Sequence, residues 1–454
     1  MDRTTTEVTV SPQYQLPDAG RNYNHQYFSL YGYRYQKLKP RVMKAAMAKW
    51  GDGTKDVSSD QYKGQKIVRQ DKILDIRAGQ VCWVVGTIFC ELKNKLNILK
   101  DVEHGVDDVL PQEPLTYTDP EVPGAVMIED ESGRVVLHGD DYFAENLLVT
   151  GCTVGILGVE MNAGVFEILD VVHPEPILPP LINNLEATQG KVLVMLGALV
   201  EGGDVASDLR LELLKQYVMG DLGDVNDAAK ITLIIILGNL VAELPIEATD
   251  DFVLTNNYGT KNILRFDTHN IAKFDRWVAQ LVTLVPVMVM PGPLDPAEIC
   301  MPQQPLHPSV FAKARALAGL TRLTNPQYLQ LGQRTMLLTA GQTINDIQKY
   351  VAPDDAEKLG KTTSVMAATL KWQNIAPTAP DTLYCYPYVD HDPFVINDSQ
   401  MAPHIYMVGN QRQFETAKGD HGELLVLVPL FKHTGEVVVI DLASGECDTV
   451  TFET

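Results

Sequence analysis

The stretch Ile231-Thr232-Leu233-Ile234-Ile235-Ile236-Leu237-Gly238-Asn239-Leu240 (ITLIIILGNL, 231–240) decides the fold class. Seven residues run almost wholly apolar and β-branched, the pattern of a strand buried on both faces of a parallel sheet. Gly238-Asn239 ends the run, and the tip opens into a loop. Strand tips of this kind are where α/β sheets gather their functional groups. The same rhythm recurs on either side. Strand VLVMLGALV (192–200) precedes a helix near 204–219, and 231–237 precedes a long loop and a helix near 266–284. Strand VPVMVM (285–290) precedes a helix near 308–319, and TMLLTA (335–340) leads to helices 342–350 and 355–372. Strands HIYMVG (404–409), ELLVLVP (423–429), EVVVIDL (436–442) and CDTVTF (447–452) close the chain. Two sheets with flanking helices accommodate all of this.

Before that region the pattern is β. GQVCWVVGTIFCEL (79–92) reads as a strand, and GAVMIEDESGRVVLHG (124–139) as a hairpin. GCTVGILGVEMNAGVFEILDVVHP (151–174) reads as a second hairpin, turning at 162–164. At least five short strands with glycines at bends suit a small OB-type barrel. Such barrels can stack single-stranded bases on aromatics, for which Trp83, Phe89 and Phe166 are candidates, yet cations are scarce on these strands. PEPILPPL (174–181) reads as the linker. Residues 25–50 read as a docking helix, with Tyr27, Tyr31 and Tyr35 on one face and Pro40 expected to kink or split it. Its lysines interleaved with tyrosines are also a pattern of nucleic-acid contact. The expected domains are a disordered 1–24, the helix 25–50, the barrel 51–175, and a sheet-and-helix domain 176–454.

The chain of 454 residues has a net charge of -21, although residues 21–49 carry seven Lys or Arg and no acid. So acidic a surface does not bind a phosphate backbone broadly. The six cysteines show no metal-like spacing, and a reduced nuclear or cytosolic setting is expected. The start of the chain is polar, with no signal peptide expected, and no apolar run is long enough to span a membrane.

Two-metal phosphoesterases collect Asp, His and Asn at consecutive strand tips, because two adjacent dications need bridging anionic charge. Here the first tip, Gly197 with its neighbours, offers neither acid nor His. The second is Gly238-Asn239, a neutral amide where a bridging carboxylate is expected. The third, around Gly292, keeps only Asp295; the fourth offers Gln342; the last is Gly409-Asn410. Asn239, Asp295 and Asn410 cannot hold two metals, so no metal or other cofactor is expected. His307 is expected to cap helix 308–319 or to fill structure, and Asp295 beside Pro296 to form a turn. Nucleotide-loop, zinc-protease and serine-hydrolase motifs are absent.

PGPLDPAEICMPQQPLHPSVF (291–311), TAGQTINDIQKY (339–350), NIAPTAPDTLYCYP (374–387) and PHIYMVGNQ (403–411) resemble the small (B) subunits of DNA polymerase delta. YFSLYGYRYQKLKPRV (27–42) does too, so the resemblance runs from about residue 25 to the end. It implies a mixed α/β plus β fold: an OB barrel followed by an inactive calcineurin-like phosphoesterase sandwich of two sheets with flanking helices. It further implies a nuclear, non-catalytic scaffold in DNA replication and repair. The partners implied are the cysteine-rich C-terminal domain of the polymerase delta catalytic subunit and a third, elongated subunit. The polymerase zeta catalytic subunit is a possible further partner, with little or no direct nucleic-acid binding and no membrane. One departure is the first tip, where relatives tend to be richer in Gly and Ser. A site without metals leaves its loops as surface for partners. On that ground Asp250 and Asp251 in loop 241–265, Tyr386 and Tyr388 in loop 374–403, and the helical Tyr27, Tyr31 and Tyr35 are the expected interface residues.

Overall fold

The computed structural model describes residues 2–56, 62, 64–95, 114–122, 124–161, 164–183, 189–244 and 266–454. The chain divides into two compact units, neither contiguous in sequence. One comprises residues 1–17, 181–341 and 403–454; the other, 18–180 and 342–402.

The first unit is built around the quoted strand. Ile231–Ile236 lies inside a six-stranded sheet ordered Leu320–Arg322, Val287–Val289, Ile231–Ile236, Lys191–Met195, Glu436–Asp441, Cys447–Thr451. The first four strands are parallel, with Ile234 opposite both Leu193 and Val287. A second sheet runs Val8–Val10, Gln327–Leu331, Arg334–Thr339, Ile405–Gln411, Leu424–Pro429, Glu415–Lys418. The apolar run has no polar face because both faces are covered. Leu233, Ile235 and Leu237 join Met336, Leu338, Ile405 and Val426 in a core between the sheets. Ile234 and Ile236 point the other way, onto Leu211, Leu214, Phe274, Trp277 and Leu281. Those five come from the helices Val205–Met219 and Thr268–Val282. Each fully buried aliphatic contributes about 2 kcal/mol. Asp204 starts the first helix by accepting from the Ser207 amide, and left-handed Gly220 ends it.

The second unit holds the barrel. Val81–Glu91, Ala125–Glu129, Arg134–His138, Val165–Val172 and Thr153–Glu160 pair in that order, and Thr153–Glu160 pairs back onto Val81–Glu91 to close it. The helix Phe28–Trp50 lies on its outer wall, with Val42, Ala46 and Trp50 against Val81, Trp83, Val85 and Leu157. Trp83 and Phe166 are buried and form no stacking platform. Trp83 instead donates its indole N–H to the Gly51 carbonyl at 2.8 Å.

Several expectations are corrected. The helix does not split at Pro40: Phe28–Trp50 is continuous, because Pro40 and Gln36 face solvent, where water can take the Gln36 carbonyl that Pro40 leaves without a donor. Residues 308–319 are not one helix but two 3-10 turns, Pro308–Val310 and Ala314–Ala316, before the strand from Leu320. The buried Asp275 carboxylate takes the amides of Lys313 and Ala314, which restarts the turn there. His307 caps the first turn, accepting from the Ser309 amide. Residues 1–24 are not disordered throughout, since Val8–Val10 forms an edge strand on Leu329–Leu331. Residues 342–402 group with the barrel rather than with the two-sheet unit expected for 176–454.

Candidate functional site

The strand tips of the two-sheet unit come together and are stitched to one another by main-chain hydrogen bonds. Gly197 donates to the Gly238 carbonyl at 2.9 Å, Leu199 to Asn239 at 3.0 Å, and Val200 to Leu240 at 3.0 Å. Lys432, after the strand Leu424–Pro429, donates its amide to the Gly197 carbonyl at 3.0 Å. The packing at the tips leaves no room for a side chain at two of the glycines, against backbone at Gly238 and against a leucine side chain at Gly409. A Cβ on Gly238 (φ +97°) would lie 2.4 Å from the Gly292 nitrogen, and one on Gly409 would lie 2.1 Å from Leu196 Cδ1. Asn239 is fully buried with φ +55°, a left-handed conformation that Asn tolerates better than a β-branched residue. Asn410 (φ +59°) sits where the register slips between Val408 and Gln411.

Asp295 is the buried carboxylate of these tips among the described residues, and both its oxygens accept backbone hydrogen bonds. Oδ2 accepts from the amides of Asn239 (2.7 Å) and Gly292 (2.8 Å), and Oδ1 from Leu240 (2.7 Å). The Asn239 side-chain oxygen in turn accepts from the Leu294 amide at 3.1 Å. Burial pushes the Asp295 carboxyl up to about 6, against the pull of the three amides. Asp295 is therefore an internal clasp joining the second and third tips. Beside the first tip stands a cation: the Lys432 ammonium lies 2.6 Å from Glu201 and 3.5 Å from Asp204. Burial alone would lower its pKa, and the two carboxylates outweigh that and raise it. Among the described residues no group of three or more His, Cys, Asp or Glu converges on one point. Gln342 begins the helix Gln342–Gln348, which groups with the barrel unit.

The barrel unit holds two buried polar knots. Arg34, 1% exposed, pairs with Asp392 at 2.8 Å and donates to the carbonyls of Pro377 (2.7 Å) and Ala379 (2.9 Å). Burial would lower its pKa, but Asp392 overrides it and holds the guanidinium charged. Asp346 accepts from the hydroxyls of Tyr117 (2.6 Å), Thr378 (2.5 Å) and Thr382 (2.7 Å), while burial raises its pKa. Both knots tie the 374–402 segment to the rest of its unit.

Two family models match the chain: the DNA polymerase delta subunit OB-fold domain over residues 26–171, and the B subunit of DNA polymerases alpha and epsilon over residues 198–416. The DNA polymerase delta small subunit of Saccharomyces cerevisiae is 34% identical, over 98% of this chain and 92% of its own length. DNA polymerase delta subunit 2 of Drosophila melanogaster is 30% identical, over 95% of this chain and 94% of its own. The small subunit of Arabidopsis thaliana is 34% identical over 84% of each chain. The chain belongs to the DNA polymerase delta small-subunit family.

In this small subunit the expected interface tyrosines are engaged within their own unit. Tyr27 donates its hydroxyl to the Cys385 carbonyl at 2.9 Å, and Tyr35 to Val85 at 3.0 Å. The Arg34 guanidinium lies 5.3 Å from the Tyr31 ring centre. Tyr388 is buried against Tyr386 and His391, so it offers no surface to a partner. Phe394 and most of 372–380 are buried too, so 374–403 is a packed segment rather than a free loop. Tyr384 is 46% exposed, and Tyr386, half-buried, packs its ring edge-on against Tyr23 at 5.2 Å. Asp250 and Asp251 lie outside the described residues. Asp381 is ion-paired with Lys95. Sequence reading missed Arg34 as a buried charge, though a signal was present. Leu30, Arg34, Leu38, Val42, Ala46 and Trp50 recur every four residues, and a cation inside such a stripe requires a buried partner.

Proposed function

We propose that this chain serves DNA polymerase delta as a non-catalytic scaffold, and that its two-sheet unit is a calcineurin-like phosphoesterase sandwich turned from chemistry to structure. The observation that carries this reading is Asp295. A metal ligand must present free lone pairs toward an open site. This buried carboxylate already accepts from three backbone amides, two on Oδ2 and one on Oδ1, and Asn239 supplies an uncharged amide at the position a bridging carboxylate would take. Tips tied to one another by main-chain hydrogen bonds rather than by shared metal ligands suit a unit that presents surface.

The scaffold role assigns the partners. They are the cysteine-rich C-terminal domain of the catalytic subunit, the elongated third subunit and, in lineages that share the subunit, the polymerase zeta catalytic subunit, all in the nucleus. The net charge of -21 suits a subunit that leaves the template to the catalytic chain. Co-expression with the cysteine-rich domain, followed by size-exclusion and metal analysis, tests the reading. A stoichiometric complex whose metal is accounted for by the cysteine-rich partner supports it. Metal held by this chain alone, or manganese-dependent phosphodiesterase activity abolished by Asp295→Ala, overturns it.

A further inference from the structure

We propose that Ser11 is a phosphoacceptor for a proline-directed kinase, and that its phosphorylation releases the strap formed by residues 3–16 from the two-sheet unit. Three observations converge on it. First, the strap is structured but lightly held at its centre. Arg3 donates to the carbonyls of Val218 (2.5 Å) and Ala228 (2.6 Å), and the Thr4 amide to Ala229 (3.0 Å). Val8–Val10 pairs with Leu329–Leu331, and fully buried Tyr14 stacks on Tyr328 with ring centres 5.9 Å apart and planes within 6°. The Leu16 amide reaches Gln304 Oε1 at 2.9 Å. Between these anchors lies a three-residue edge strand, the kind of element that opens locally well before the fold does.

Second, Ser11-Pro12 is the single Ser-Pro or Thr-Pro dipeptide in the 454 residues, and it stands where that strand ends. A kinase that reads Ser-Pro accepts an extended segment whose next residue brings no amide donor into its cleft. Pro12 is exposed, and the other strap hydroxyls, Thr4, Thr5, Thr6 and Thr9, lack the proline.

Third, Ser11 is where added charge does most. Its amide donates to the Tyr328 carbonyl at 3.1 Å, and its carbonyl accepts from Gln327 Nε2 at 2.8 Å. Among the described residues its hydroxyl makes only a long contact, from the Gln13 amide at 3.4 Å. Phosphoryl transfer joins the γ-phosphorus of ATP to Ser11 Oγ, breaks the bond to the β-phosphate and releases ADP, while the hydroxyl proton passes to the kinase's base. The resulting dianion has no Lys or Arg among the described hydrogen-bond partners of Ser11. The strap's own cation, Arg3, is committed to backbone carbonyls at the far end. On a chain of net charge -21 a phosphate with no cation among those partners is drawn to water, and the two backbone bonds of Ser11 go with it.

The experiment uses the full chain with a cyclin-dependent-type proline-directed kinase and ATP, read by intact mass, peptide mapping and amide hydrogen exchange. One phosphate is expected on Ser11 and none on the Ser11→Ala chain. In the phosphorylated chain, exchange at the Ser11 and Gly332 amides, which close the two ends of the edge ladder, should rise about tenfold. The amides of Ile231–Ile236 should stay unchanged. A chain that takes no phosphate overturns the proposal. So does equal phosphorylation of Ser11→Ala, or unchanged exchange at Ser11 and Gly332 once the phosphate is on.

Discussion

Replacing Asp295 by Ala removes the acceptor of three buried amides at once. Each buried N–H left unpaired costs about 2 kcal/mol, so the gross loss is about 6 kcal/mol. Part of this is returned at neutral pH, because the wild-type carboxyl must ionise in a buried site. Its folded pKa of about 6 against 3.8 unfolded, at about 1.4 kcal/mol per unit, makes that ionisation cost about 3 kcal/mol. The net prediction is a loss of about 3 kcal/mol at pH 7. The sign of the pH dependence follows from the raised pKa. The fold binds the proton more readily than the unfolded chain, so wild-type stability from this group is greatest below pH 3.8 and falls as pH rises through 6. The Ala penalty therefore grows on acidification, toward about 6 kcal/mol near pH 4. Asp295→Asn can still accept from the Asn239 and Gly292 amides but turns its Nδ2 toward Leu240. One lost bond of about 2 kcal/mol against about 3 kcal/mol of relieved ionisation leaves it near wild-type stability at pH 7. Urea unfolding of the three proteins at pH 7 and pH 5 reads all of this. An Ala variant within 1 kcal/mol of wild type at pH 5, or a gap that shrinks on acidification, would refute the reasoning that Asp295 is a clasp.

Arg34→Met strands Asp392 in the barrel unit and should cost about 3–5 kcal/mol, whereas Arg34→Met with Asp392→Leu should recover most of it; a double-mutant cycle in denaturant checks both. Gly238→Ala puts a Cβ 2.4 Å from the Gly292 nitrogen at a left-handed φ and should cost about 3 kcal/mol or prevent folding, read by thermal melts beside the harmless Gly133→Ala, whose Cβ meets open space. His173 is half-buried with its Nδ1 shut away from solvent, and its pKa is pushed down to about 3 by desolvation, with Lys371 and Lys49 adding to the effect. The unfolded chain takes up that proton below pH 6.5 while the fold does not, so stability falls on acidification by about 1.4 kcal/mol per unit. His173→Asn should lose about 2 kcal/mol less than wild type between pH 7 and pH 5, as measured by urea unfolding. Deleting residues 2–17 uncovers the Gln327–Leu331 edge and the Tyr328 ring face, and should lower the melting temperature and promote self-association, seen by size-exclusion.

The quoted strand was legible because its composition answers to one environment. A run of Ile and Leu with no polar alternate must be covered on both faces, and that alone implies a sheet with helices outside and a second layer inside. The barrel was legible for the same kind of reason, in alternating strands and turn residues that act over two to five positions. The neutral Asn239 and the loss of His at every tip could also be read directly, since a missing charge is a property of the residue. What Asp295 does could not be read. Three amides that it accepts belong to residues 3 to 56 positions away, and only the meeting of two tips supplies them. Residues 374–402 look like a loop rich in interface tyrosines, yet Arg34 and Asp346 draw them into the barrel unit from far along the chain. Likewise nothing local marks Val8–Val10 as a strand: a three-residue element takes its hydrogen bonds from an edge that lies over 300 residues away. Sequence by itself determined which segments must be buried and which chemistry is missing, because those depend on side-chain type and short-range period. Which buried groups meet, and hence whether a tyrosine or a carboxylate faces a partner or its own chain, was decided by tertiary structure, because a polar group's partner is set by where distant backbone comes to rest.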